Sequence, residues 1–142
     1  MQVDKMLING DLVTSKLMAP VYNPATEQVI TEHAEATPQL LEQAVQAAAT
    51  AFISWRQVAL AERQQVVANI AKGIEQHADD IARLLSQEQG KPLGKAKDEL
   101  ASAVNSLALT ASEGVSTEVL TDDDSNRVDL RHTALGVVSA IT

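Results

Sequence analysis

Apolar residues are spaced in two different ways along the chain. Between Thr37 and Ser112 they recur in steps of three and four, which returns each to one face of a helix. Thr37-Pro38 is a start signal, with a hydroxyl at the N-cap and proline in the first turn. Leu41, Ala44, Val45, Ala48, Phe52 and Trp55 then form one stripe. Phe52 and Trp55 are the chain's only Phe and Trp, and their place on the stripe predicts core. A fully buried Trp55 would cost about 3–5 kcal/mol on truncation to alanine. A second, long helix is predicted over residues 60–87, with Val66, Val67, Ile70, Ile74, Ala78, Ile81, Leu84 and Leu85 inward. Gly73 costs it about 1 kcal/mol relative to alanine, so it is expected to mark a close helix contact. Lys72, Glu75, Gln76, Asp79 and Asp80 form its wet face, and His77 falls among them. A third helix, over residues 94–112, carries Ala96, Leu100, Ala103, Val104, Leu107 and Ala111, with Lys95 and Glu99 spaced for an ion pair.

Ser86-Gln87-Glu88-Gln89-Gly90-Lys91-Pro92-Leu93 separates the last two helices. Gly90 can take the left-handed backbone that closes a helix, and Pro92 prevents direct resumption. Gly90-Lys91 is not a phosphate loop: no glycine lies five residues earlier, and Pro92 stands where Ser or Thr would hold magnesium.

Outside the helical region the pattern is that of strands. Leu7-Ile8-Asn9-Gly10-Asp11-Leu12-Val13 reads as a hairpin about an Asn-Gly turn. Residues 21–31 read as strand, Asn-Pro turn and strand, with His33 on the surface beyond. Thr121-Asp122-Asp123-Asp124-Ser125-Asn126 lacks the alternating ligands and glycine of a calcium loop, and reads as a solvated link. Residues 127–132 alternate polar and apolar as a half-exposed strand does. Leu135-Gly136-Val137-Val138-Ser139-Ala140-Ile141-Thr142 reads as a strand buried on both faces, the kind that opens a parallel sheet. Such a strand needs neighbours that this sequence does not supply, so 142 residues are expected to be less than a whole functional unit.

Composition narrows the chemistry. The chain is 45% apolar but only 2% aromatic, which suits close helix packing. A net charge of −8 argues against a nucleic-acid partner. No apolar run approaches the roughly 18 residues of a membrane span, and no apolar signal core opens the chain, so a cytoplasmic location is expected. Cysteine is absent, which removes disulfides, thiolate nucleophiles and Cys-ligated zinc. His33, His77 and His132 are too scattered for a sequence-local metal site.

Five pieces in register resemble the N-terminal part of the aldehyde dehydrogenase superfamily. They are Leu7-Ile8-Asn9-Gly10, Tyr22-Asn23-Pro24-Ala25-Thr26, residues 44–55 ending in Trp55, Glu88-Gln89-Gly90-Lys91-Pro92-Leu93 with Ala96 and Glu99, and Leu135-Gly136-Val137-Val138. The resemblance implies NAD(P)-dependent oxidation of an aldehyde to an acid, by a subunit with a Rossmann-like cofactor domain, a catalytic domain and an oligomerisation β-flap. It implies that residues 1–142 are the N-terminal part of the cofactor-binding domain, with 127–138 resembling part of the flap. Ile141 and Thr142 match a strand end whose backbone lies beside the nicotinamide cofactor. Glu88 matches an acidic position near a monovalent-cation site of some members, whose other ligands are not assignable here. The family's Pro-Trp-Asn segment, general-base glutamate and catalytic cysteine all come later and are not in this sequence.

The expected fold is therefore an α+β segment of an α/β enzyme. It has N-terminal β-hairpins, three main packed helices and a C-terminal strand pair leading into a Rossmann-like sheet. The leading reading is an aldehyde dehydrogenase segment, inactive alone, using NAD or NADP only as part of a full-length enzyme and binding neither by itself. No catalytic residue and no metal ligand is assigned. The expected partner is a second copy, joined by strand pairing, with an aldehyde substrate only in a full-length enzyme. The alternatives are a non-catalytic assembly module that pairs through its C-terminal strands, and an unrelated helical binding domain.

Overall fold

The computed structural model describes residues 3–141. Two short strands, β2 (Met6–Ile8) and β3 (Asp11–Val13), pair antiparallel with Leu7 opposite Leu12. Asn9 and Gly10 between them have φ of 53° and 87°, the two positive values that a primed hairpin turn requires. The second sheet is ordered β1 (Val3–Asp4), β5 (Val29–Ala34), β4 (Met18–Tyr22), with β5 parallel to β1 and antiparallel to β4. Asn23 builds the β4–β5 turn: its Oδ1 accepts from the Ala25 N–H at 2.9 Å and its carbonyl from the Glu27 N–H at 2.7 Å. Both hairpins are as the sequence predicts.

Helix α1 (Pro38–Trp55) starts where Thr37 predicts, and Thr37 Oγ1 accepts from the Leu40 N–H at 3.3 Å. The long helix expected over 60–87 is instead two, α2 (Leu60–Gln76) and α3 (Ala78–Gln89). His77 breaks it, with φ −110° and ψ 13°. No proline or glycine announces the break. Its trace in the sequence is Asp79-Asp80: expected on the wet face of one long helix, they are the first-turn acids of α3. Gly90 closes α3 with φ 72°, and α4 (Leu93–Ser112) follows. The three helices expected are thus four.

Helix α4 packs against both α2 and α3. The buried residues among those described are all alanines: Ala34 at the end of β5, and Ala71, Ala82 and Ala96, one on each of these helices. Small side chains let backbones approach closely, but they hide little apolar surface. Val67, Ala71 and Ile74 turn inward on α2, while Val66 and Ile70 of the predicted stripe stay exposed. Gly73 is not a close contact, because a Cβ there would meet nothing within 4 Å.

The α1 stripe is not core. This helix lies against the small β2–β3 hairpin, which is too narrow to cover it. Leu41, Val45 and Ile53 are exposed, Phe52 is half-buried, and Trp55 is 44% exposed. The C-terminal pairing also differs in its members. Strand β6 (Glu118–Asp122) pairs antiparallel with β7 (Arg127–Leu130), and the acidic link is the turn between them. Asp123 Oδ1 accepts there from the N–H groups of Ser125 and Asn126, both at 2.8 Å. Residues 131–141 join no sheet among the described residues, although the sequence predicts a buried strand from Leu135.

Candidate functional site

The two residues read as cofactor contacts lie at the end of this unpaired segment. Ile141 is 94% exposed, and Thr142 lies outside the described residues. Leu135 (also 94% exposed), Val137 and Val138 precede it with their side chains in solvent. Gly136 has φ 111°, a backbone that L side chains rarely adopt. What this segment offers a ligand is backbone. The glycine-rich turn that cradles a dinucleotide's phosphates is not present in the sequence.

The hinge at Gly90 is more fully built. The Gly90 N–H donates to the Ser86 carbonyl at 3.0 Å, and Ser86 Oγ donates to the Lys91 carbonyl at 2.7 Å. A Cβ on Gly90 would lie 2.9 Å from Pro24 Cγ, so the hinge seats the β4–β5 turn directly. Lys91 is held by Glu99, which leaves no free cation for a phosphate. The Lys95–Glu99 pair expected from spacing is not formed. Lys95 binds Asp98 at 3.1 Å, and Glu99 takes Lys91 across the hinge.

Glu88 lines an open cleft of about 570 Å³ between α3 and the three-stranded sheet, with Asp4, Tyr22, His33 and Leu84 among its neighbours. Among the described residues, no three His, Asp or Glu side chains come together as metal ligands would. A second cleft of about 250 Å³ lies between α3 and α4. There Lys97 Nζ donates to Asp79 Oδ1 at 2.7 Å, and this hydrogen bond, reinforced by the ammonium charge, lowers the Asp79 pKa. The hydroxyl and N–H of Ser125 and the N–H of Asn126 lower that of Asp123. Both acids are thereby held as carboxylates. With no cysteine in the chain, no thiolate can come from it.

Two features escaped the sequence reading. One is the Gly90–Pro24 contact, whose partners lie in different elements. The other is a cleft lined by Arg56, Arg63 and His132, three residues that no local motif connects. No described helix is long and apolar enough to cross a membrane.

The profile of the aldehyde dehydrogenase family matches residues 13–142. A probable aldehyde dehydrogenase from a Pseudomonas species is 38% identical over 137 residues, covering 96% of this chain and 28% of the relative. The N-succinylglutamate 5-semialdehyde dehydrogenase of Pseudomonas fluorescens is 41% identical over 88 residues, 62% of this chain and 18% of that protein. Among solved structures, a mutant aldehyde dehydrogenase from Bacillus cereus superposes with a TM-score of 0.82 at 29% identity, covering 89% of this chain and 27% of that one. An NAD-dependent benzaldehyde dehydrogenase from Corynebacterium glutamicum gives 0.78 at 28% identity, covering 86% and 28%. The chain thus spans between 18% and 28% of the length of these relatives. An unrelated helical binding domain is set aside by these matches. From the profile match and the shared α+β arrangement together, the chain belongs to the aldehyde dehydrogenase family.

Proposed function

We propose that this chain is the N-terminal scaffold of an NAD(P)-dependent aldehyde dehydrogenase and oxidises no aldehyde by itself. The observation that carries this reading is chemical: a family whose reaction runs through a cysteine thiohemiacetal is represented here by a chain with no cysteine. Residues 1–142 form part of the cofactor-binding domain, and 127–138 part of its oligomerisation flap. Ile141 and Thr142 contribute backbone beside the nicotinamide, whose hydride acceptance is the chemistry the cofactor supplies in a complete enzyme. The exposed segment before Ile141 supports this role, since its backbone groups are not engaged in a sheet among the described residues. The same reading places the protein in the cytoplasm. Aldehyde-dependent formation of NADH or NADPH by the purified chain tests it. No rate above the protein-free blank is expected, and aldehyde-dependent turnover proportional to the concentration of the purified chain would overturn it. Titration calorimetry with NAD and with NADP is expected to give no saturable heat.

A second reading is favoured by the β6–β7 pair, which is a two-stranded sheet with Val119, Leu120, Val128 and Leu130 exposed. In that reading the chain assembles with a second copy by adding strands at this edge. Light-scattering mass decides it: a dimer or larger is expected, and a monomer at all concentrations would rule it out.

A further inference from the structure

We propose that the cleft between the α1–α2 turn and the segment after β7 binds a small phosphate-bearing anion. The cleft has a volume of about 510 Å³ and is lined by Arg56, Gln57, Arg63, His132 and Thr133, together with small apolar side chains. No Asp or Glu lines it, in a protein whose net charge is −8. Two guanidinium groups and an imidazole thus share one concavity without a counter-charge. That arrangement costs self-repulsion unless an anion enters.

Lys91, Lys95, Lys97, Arg127 and Arg131 each hold a carboxylate. Arg56 and Arg63 hold none among the described residues. Lys5, Lys16, Lys72 and Arg83 hold no carboxylate among the described residues either, but none of them lines this cleft. Arg56 is placed by its neighbour instead: its guanidinium carbon lies 5.6 Å from the centre of the Phe52 ring, within cation–π range. Arg63 stands in the first turn of α2, whose N-cap, Ala59, provides no side-chain acceptor. The same turn carries Glu62, which does not line the cleft. The planar fork of arginine matches phosphate oxygens two at a time, which favours a phosphate over a halide. Gln57 and Thr133 add neutral donors at the rim. This cleft is separate from Ile141 and does not rest on the aldehyde dehydrogenase reading.

The test is titration of the purified chain with inorganic phosphate and pyrophosphate, against sodium chloride at matched ionic strength, followed by calorimetry and by NMR of the histidine ring protons. Saturable binding is expected, with the His132 signals moving and those of His33 and His77 still. Arg56→Ala and Arg63→Ala are each expected to weaken it about tenfold, the loss of a charge-assisted hydrogen bond. Arg63→Lys should fall between, keeping charge but losing the fork. Helical circular dichroism confirms that the variants fold. Three results would overturn the proposal: no saturable binding to the native chain, binding that chloride reproduces, or binding that leaves His132 unmoved.

Discussion

Helices α2 to α4 and the segment after Glu113 are both rich in aliphatic residues, yet they end in opposite states. In the helices, Ala82 and Ala96 are 0% exposed, where α3 and α4 bring backbones together. After Glu113, Val115, Leu120, Leu135, Val138 and Ile141 lie in solvent. Hydrophobicity along the chain does not distinguish the two. The difference is whether another element lies within reach. Helix α4 has two neighbours from the same chain, and it is tied to them by Lys97–Asp79 and by Gln64 Nε2 donating to the Glu113 carbonyl at 2.7 Å. Among the described residues, the strands of the C-terminal segment pair only with each other, as β6–β7. Burial is thus a property of pairs of elements, and a single stripe in a sequence states only half of it.

If the helical body is the packed half, its joint with the sheet should be the most sensitive point. Gly90→Val is expected to give the largest loss of stability. The left-handed backbone alone costs a non-glycine residue roughly 1–2 kcal/mol. The new Cβ would also press on Pro24 from 2.9 Å, so the β4–β5 turn must shift. Urea unfolding measures the sum. An unchanged midpoint would mean that hinge and turn are not in contact in solution.

Next comes a matched pair, one change in each region. Ala96→Leu overfills a site with no free space and should cost about 1–3 kcal/mol. Leu135→Ala removes a larger side chain from solvent and should stay within about 0.5 kcal/mol. Equal effects would erase the contrast between the regions. Thr37→Ala follows, at about 1 kcal/mol, because the Leu40 N–H loses its acceptor. α1 touches little else than the β2–β3 hairpin, so this cap is expected to fray α1 before it unfolds the bundle. Trp55, already 44% exposed, makes a fluorescent reporter of that fraying.

Local signals in the sequence were read correctly wherever one or two residues decide the geometry. Asn9-Gly10, Asn23-Pro24, Thr37-Pro38 and Gly90 each fix a turn or a cap through their own backbone preferences. The break at His77 was missed because a histidine between two good helical patterns carries no steric prohibition, and the packing of α3 against α4 decides it. Trp55 was misplaced because its stripe is genuine while its cover is a hairpin of two three-residue strands. The Arg56–Arg63–His132 cleft was invisible because the α1–α2 turn, the start of α2 and the segment after β7 meet there only after folding. Of the cofactor contacts, Ile141 is placed by resemblance, and its own environment adds only an exposed backbone.

Acid gives the smallest and most selective test of the contrast. Asp79 joins two helices through Lys97, whereas Asp123 is satisfied entirely within the β6–β7 turn. Both have folded-state pKa values below their unfolded ones. The stability each contributes is therefore present above an unfolded carboxylate value of about 3.9 and is lost as pH falls through the lower folded value. Both groups are solvent-exposed, so the effect is small and salt weakens it. Lys97→Met removes the main cause at Asp79, leaving only the weaker pull of Arg83, and leaves Asp123 untouched. The variant should then lose less stability than the native chain between neutral pH and that acid range, measured by urea midpoints at low ionic strength. Global unfolding reads a bond between helices but hardly registers one confined to a solvent-exposed turn. The acid loss that survives in the Lys97→Met variant thus separates the two regions, and a variant curve parallel to the native one would show that α3 and α4 do not depend on this bridge.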